Sequence, residues 1–334
     1  MSDWRNKLSE EERQAIRQTS MPRWTKPMLA TLTDERFSSP DWIFERKLDG
    51  ERCLVFRRKS QLQILSRNRQ NLNDTYPELA DALASQQAEH FILDGEIVAF
   101  SGKTTSFSRL QGRLGIKNPD EARASNIKVY LYLFDLLYLD DADLCKLPLR
   151  TRKELLRSQF EFSDPLRFTI HRNTKGEALY DQACEKGWEG LIAKRADSPY
   201  VHNRSRHWLK FKCVNRQELV IGGYTDPHGD RSGFGALLLG YYENDELRYA
   251  GKVGTGFDER LLRELGKKLE KRQQDECPFA DEAGTGAGVH WVKPELVAEI
   301  GFTEWTRAGR LRHPRFIGLR DDKPASRVVR EEAK

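Results

Sequence analysis

The chain has 334 residues, 32% of them charged, 38% hydrophobic and 10% aromatic, with a formal net charge of +5. Two domains are the expectation at that length, and the aromatic share supplies enough bulk for real cores despite the polar balance. So slight a positive charge permits a nucleic-acid partner without demanding one, and no apolar run approaches the length that crosses a bilayer.

The first residues, MSDWRNKLSEEERQ, are charged and lack an apolar core, so they do not read as a secretory signal. Residues 7–20, KLSEEERQAIRQTS, predict a charged helix with Ser9 as its cap and an acidic first turn. After Pro22 and Pro27 the pattern predicts short strands at WIFERKL, RCLVFRR, LQILSR, FILDGEIVAF and VYLYLFDLLYL. Helices are expected between them at YPELADALASQQ, LRTRKELLRSQF and GEALYDQACEKG. Together these make an α+β domain with extensive antiparallel sheet over residues 25–214, after a short lead-in at 1–24.

Past Cys213 to Gln217 the strands shorten and turn residues multiply. ELVIGGYT, GALLLGYYE, LRYAGKVG, LVAEIGFTEWT and RFIGLR, with one helix at DERLLRELGKKLEKRQ, predict an all-β OB-fold barrel over residues 215–334. Its outer surface would carry Lys252, Lys293, Arg307, Arg310, Arg312 and Arg315, and DEAGTGAGVHW reads as a flexible loop. Cys53, Cys145, Cys184, Cys213 and Cys277 stand far apart with no CxxC pair, and are read as reduced thiols of a cytosolic protein.

Four short stretches bear chemistry. FERKLDGERCLVF, residues 44–56, reads as a hairpin turning at Asp-Gly, with Glu45, Lys47 and Asp49 on one strand face and Arg52 beyond the turn. A lysine attacks only after losing its proton, and neighbouring carboxylates hold that proton on, so Glu45 and Asp49 need other work. In LDGEIVAF, Asp94 and Glu96 share a face and offer two carboxylates to a divalent cation. In WEGLIAKR, Glu189 and Lys194 flank an apolar run, and in WLKFKC, Lys210 and Lys212 point together. Singly these read as a turn, a solvated strand end or an edge-strand gatekeeper pair. As a set they supply a nucleophile, metal-binding acids and phosphate-binding cations.

KLDGER, SRN, LDGEIVAF, YLFDLLYL, EGLIAKR, WLKFK and GLRDDKP follow one another in an order that resembles the motif set of the ATP-dependent DNA ligases. The resemblance runs from PMLA to GLRDDKP and is nearest to the ligase domain of bacterial ligase D. It implies an adenylation (nucleotidyltransferase) domain followed by the barrel, with ATP as adenylate donor and Mg²⁺ or Mn²⁺ as cofactor. Lys47 would take AMP through a phosphoramidate bond, and Glu45 would accept from the adenine amine. Phe134 would stack on the base, and Arg52 and Arg67 would contact ribose, phosphate or nick ends. Asp49 would lie near the 3′-hydroxyl. Glu96 and Glu189 would bind ribose or metal, with Asp94 close by. Lys210 and Lys212 would grip the α-phosphate and depress the pKa of Lys47. Arg204 would lie near AMP, although Asn203 stands where many relatives have Gly. Arg320, Asp322 and Lys323 would orient the leaving pyrophosphate.

The same resemblance implies nicked double-stranded DNA as partner, with Ku or repair factors beside it, and a stand-alone cytoplasmic monomer without membrane contact. The barrel would close over ATP and later swing away to clamp DNA. An RNA ligase, a capping enzyme and a non-catalytic nucleic-acid-binding module are the competing readings.

Overall fold

Alternating apolar and polar residues between Trp42 and Lys212 build strands with two unlike faces, and that difference shapes the first domain. The structure is a computed structural model, and it describes residues 4–213, 215–227, 232–281, 288–306 and 308–331. The chain divides into two units, one within Met1–Cys213 and one within Val214–Glu332.

In the first unit the strands used below are β1 (Leu29–Leu32), β2 (Trp42–Arg46), β3 (Glu51–Arg58), β4 (Gln61–Ser66), β5 (His90–Ser101) and β6 (Val129–Leu139). They continue as β7 (His171–Asn173), β8 (Gly190–Arg195) and β9 (Arg204–Lys212), with helices α1 (Leu149–Gln159) and α2 (Gly176–Glu185). One sheet runs β6-β5-β3-β4 with short flanking strands, and the second runs β7-β2-β8-β9-β1. All pairs within these two runs are antiparallel except β9 with β1.

The hairpin expected at residues 44–56 does not form. β2 pairs with β7 and β8, whereas β3 pairs with β4 and β5, so Lys47–Gly50 is a crossover between the two sheets. The Asp-Gly pair forms no tight turn, because burial of β2 and β3 against different partners outweighed their pairing with each other. Gly50 fits because a side chain there would stand 2.1 Å from the Ile97 carbonyl oxygen.

The second sheet buries Phe44, Leu191, Ala193, Leu209 and Phe211 against Leu179, Tyr180 and Ala183 of α2. Its other face carries Glu45, Ile192 and Lys210 in one row and Ile43, Lys194 and Trp208 in the next. Trp208 packs in one apolar cluster with Leu54, Phe56, Ile92 and Phe134 of the first sheet, so the two sheets face each other there. The opposite face of the first sheet covers the largest core, around Val55, Leu93, Ile97, Leu131 and Leu155. α1 is tied to β6 by Arg152, whose guanidinium donates to both Asp135 oxygens at 2.8 and 2.9 Å with both side chains fully enclosed. The lead-in helix is shorter than its pattern, Glu10–Ala15, and is closed by a reciprocal Ser9–Glu12 capping box.

The second unit has β10 (Asn215–Thr225), β11 (Leu237–Glu243), β12 (Glu246–Val253), α3 (Glu259–Glu270), β13 (Val289–Val292), β14 (Val297–Phe302) and β15 (Arg315–Arg320). β10 pairs with β14 along its first half and with β11 and β13 along its second, which makes it the bent spine of the barrel. Five strands were expected. Among the described residues the sheet has seven, because β13 and the short Gln273–Gln274 strand join it. Lys252, Lys293, Arg312 and Arg315 are exposed as anticipated, but Arg310 turns inward to the Tyr249 carbonyl and Asp281. Arg307 and most of the Gly-rich loop lie outside the described residues. Among the described residues no helix is long and apolar enough to cross a membrane.

One cysteine expectation is corrected. Cys184 at the end of α2 and Cys213 just past β9 form a disulfide, with Cα atoms 5.2 Å apart across a sequence separation of 29. The pair is distant in sequence and meets only because α2 packs on β8 and β9. Cys53, Cys145 and Cys277 are free. Cys184→Ser should lower unfolding stability by about 2–4 kcal/mol under non-reducing conditions. Urea denaturation of both proteins with and without reductant measures this, and reductant should erase the difference.

Candidate active site

The crossover delivers Lys47 to the wall between the sheets. Its backbone N–H still donates to the Gly190 carbonyl at 2.9 Å, extending β2 by one bond beside β8. The Lys47 Nζ donates to Glu189 Oε1 at 2.5 Å, with the lysine side chain 19% and the glutamate 6% exposed. Glu189 reaches this point because Gly190 has φ +150° and room for no side chain, a Cβ there lying 1.8 Å from the Phe211 carbonyl oxygen.

Burial alone would push the Lys47 amine down. Glu189, then Asp49 and Glu96, more than offset it and hold the amine above the ordinary lysine range. The expectation that Lys210 and Lys212 depress it is therefore corrected: in this arrangement the carboxylate field prevails. Asp49 is buried and accepts from the Phe107 backbone N–H at 3.2 Å. Glu96 is half-buried and stands opposite Arg52 across β3 and β5.

Glu45 is deeply enclosed. At 2% exposure it receives Lys153 Nζ on Oε1 at 2.5 Å. Lys194 Nζ lies 2.7 Å from Oε2 as a second ion-pair partner. Burial would raise the Glu45 carboxyl, and the two ammonium groups reverse that and hold it below the usual range. Burial in turn pushes Lys194 down to about 8, with Glu45 opposing and Lys153 assisting. Lys194 sits 4.2 Å from the Phe134 ring centroid and 4.1 Å from that of Trp208.

Phe134 is buried, with the Arg52 guanidinium 4.6 Å from its ring centroid. Arg52 grips Asp94 bidentately at 2.6 and 2.7 Å, and Tyr200 donates its hydroxyl to Asp94 at 2.6 Å. Asp94, expected beside Glu96 as a metal-facing acid, is fully enclosed and engaged by these two partners instead. The cause is the strand register, which sets Asp94 opposite Leu54, one pleat deeper than Glu96. Among the described residues no group of three or more His, Cys, Asp or Glu converges as a metal cluster. Lys210 and Lys212 lie partly buried on the face of β9 that carries Trp208. Arg67, in the turn after β4, is partly exposed, and exposed Arg204 donates to the Ala30 carbonyl at 2.5 Å.

In the second unit the GLRDDKP cations are not a solvated charge run. Arg320 donates to both Asp322 oxygens at 2.7 Å and approaches Glu299 at 3.6 Å, while Lys323 donates to Glu218 at 2.8 Å. Their side chains are 12% and 13% exposed.

Comparison with known proteins agrees with this architecture. A family model described as ATP dependent DNA ligase domain matches residues 27–212, and one described as ATP dependent DNA ligase C terminal region matches 230–323. The chain belongs to the ATP-dependent DNA ligase family. This ligase is 39% identical over 321 residues to the multifunctional non-homologous end joining protein LigD of Pseudomonas aeruginosa, covering 94% of this chain and 37% of that one. It is 40% identical over 314 residues to the LigD of Mycobacterium tuberculosis, covering 91% of this chain and 40% of that one. The chain thus spans about two-fifths of the length of these curated relatives. A solved mycobacterial DNA ligase D, complexed with ATP and MES, superposes with a TM-score of 0.67 at 36% identity, over 92% of this chain and 98% of that one. The fold is the adenylation domain plus OB-fold arrangement of such ligases.

Three side chains in contact with Glu45, Asp94 and Lys194 carry no signal in the motif reading. Lys153 and Tyr200 lie outside the quoted motifs, and Trp208 reads as an ordinary core aromatic. Only the sheet register and the packing of α1 bring them in. The grip on Lys47 has a measurable consequence. Removing the largest attractive partner while burial persists lowers the amine pKa, so Glu189→Gln should shift the pH of half-maximal Lys47 labelling downward. Peptide mapping after treatment with an amine-reactive reagent across a pH series checks it, with no nucleotide or metal required.

Proposed function

We propose that this ligase seals nicked duplex DNA bearing 3′-hydroxyl and 5′-phosphate ends through a lysyl-AMP intermediate on Lys47. The observation that carries the reading is the Lys47 ammonium, mostly enclosed and 2.5 Å from Glu189, at the crossover where both sheets contribute charged side chains. In the first step Nζ forms a bond to the α-phosphorus of ATP as the bond to pyrophosphate breaks. The adenylate then passes to the 5′-phosphate, and the 3′-hydroxyl displaces AMP to join the strand. Lys210 and Lys212 offset charge on the α-phosphate. Arg52 and Arg67 contact ribose, phosphate or DNA ends, Asp49 stands near the 3′-hydroxyl, and Arg204 lies by the AMP. Phe134 and Glu45 receive the adenine. Arg320 and Lys323 must exchange their carboxylate partners for the pyrophosphate.

Glu96 and Glu189 suit a divalent cation of the Mg²⁺ or Mn²⁺ kind, which takes one or two carboxylates and completes its shell with water and phosphate oxygens. Glu189 pairs with Lys47, and Glu96 acts on the same amine through its charge. A cation there would neutralise the field that keeps the amine protonated. Asp94 belongs to the Arg52 pair and holds Arg52 rather than metal.

The named LigD relatives act in end joining, and this ligase is assigned by the same reading to DNA repair of that kind, beside Ku, as a cytosolic monomer. Incubation with α-labelled ATP and a divalent cation should leave one AMP on Lys47 by peptide mass spectrometry, and Lys47→Ala should carry none. An adduct elsewhere, or activity on RNA nicks but not DNA nicks, contradicts the assignment. DNA contacts would include Lys252, Lys293, Arg312 and Arg315, all exposed on the barrel. Should about six phosphates be neutralised, nick affinity falls about 10³-fold between about 50 and 200 mM salt, and filter binding over that range measures the slope.

A further inference from the structure

A carboxylate reads a purine edge by its protonation state. Ionised, it only accepts and therefore suits the exocyclic amine of a 6-aminopurine; protonated, it can donate and tolerates a 6-oxo group. Glu45 is 2% exposed, and burial works against its charge. We propose that Lys153 is a positioning residue for base selection, fixing Glu45 as an ionised, correctly aimed acceptor for the 6-amino group of ATP. The proposal rests on the adenylate-transfer reading above.

Lys153 lies on α1, outside every motif of the site, and its ammonium is 2% exposed. It donates to Glu45 Oε1 at 2.5 Å and to the Thr169 carbonyl at 3.1 Å, with the Phe134 carbonyl at 3.5 Å. One ammonium thus connects the carboxylate on β2, the backbone of the candidate stacking residue on β6, and the turn leading into β7. Arg152, the preceding residue, fixes α1 to β6 through Asp135, so the helix holds Lys153 at a set height.

The other groups facing Glu45 are held differently, and of them Lys194 shares in keeping it ionised. Lys194 on β8 approaches Oε2 at 2.7 Å but is itself pushed down to about 8, and Asp135 also acts on it. His171 on β7 is the register partner of Glu45, yet burial and then Lys153 push its pKa down, which disfavours a charged imidazole. Lys210 on β9 stands in the same row with Ile192 between. Lys153 is the cation on a separate, anchored element.

The test uses the full chain with Lys153→Met, Lys153→Arg, Glu45→Gln and the double variant Glu45→Gln/Lys153→Met, each checked by circular dichroism. Labelling of Lys47 from α-labelled ATP and GTP is followed between about pH 6 and 8. Lys153→Met should raise the ATP KM about tenfold with kcat within about threefold, and shrink the ATP-over-GTP preference about tenfold. Both losses should deepen as pH falls and Glu45 takes up a proton, and Lys153→Arg should restore most of the preference. A folded Lys153→Met with wild-type KM and base preference overturns the proposal, as does one that loses kcat alone. Should Lys153→Met not fold, the double variant decides: equality with Glu45→Gln supports the proposal, and a further loss of base preference overturns it. Wild-type protein that labels Lys47 with neither nucleotide sinks the adenylate-transfer reading itself, a result distinct from any of these.

Discussion

The Lys47–Glu189 contact is the constraint on which the chemistry of the first unit depends. A lysine this enclosed would shed its proton readily if burial acted alone, but a carboxylate at 2.5 Å keeps it charged and points it along the wall between the sheets. The same contact thus aims the amine and disarms it. On the adenylate-transfer reading proposed above, reactivity would come from something that competes with the lysine for Glu189 and Glu96.

Around that contact the site is built from paired charges with few free ones. Arg52 is locked to Asp94, Arg152 to Asp135, and Glu45 is flanked by Lys153 and Lys194. Buried pairs add little net stability compared with apolar packing, but breaking one leaves an uncompensated charge, so each pair fixes its members firmly in place. On the proposed reading, that rigidity suits cations and acids that would meet a triphosphate and a base at set positions. The second unit repeats the device, since Arg320 and Lys323 are held by Asp322, Glu299 and Glu218. Cations stored against acids can be handed to an anionic ligand by exchange, without crossing a state in which they stand bare.

Most of the longer strands and helices between Trp42 and Arg320 were legible in the sequence, because periodicity and turn residues report local structure directly, whereas the short β7, β13 and Gln273–Gln274 strands were not. The residue types of the site were legible for the same reason: KLDGER, EGLIAKR and WLKFK each set charged side chains at fixed offsets along a strand. Membership of the ligase family followed from the order of those motifs. Burial was not legible. Asp94 and Glu96 look alike in LDGEIVAF, yet one is sealed against Arg52 and Tyr200 while the other remains half-buried near Lys47.

Sequence by itself therefore determined where most of the longer strands lie, which faces they offer and which chemical groups those faces carry. Tertiary structure alone decided which strands pair, and so turned the apparent hairpin at Asp49-Gly50 into a crossing between two sheets. It also decided that Cys184 meets Cys213, that α1 sends Lys153 to Glu45, and that carboxylates outweigh burial around Lys47. The physical reason is common to all of these: pairing, burial and local field are sums over neighbours distant in sequence, and those neighbours are chosen only when the sheets close on their cores.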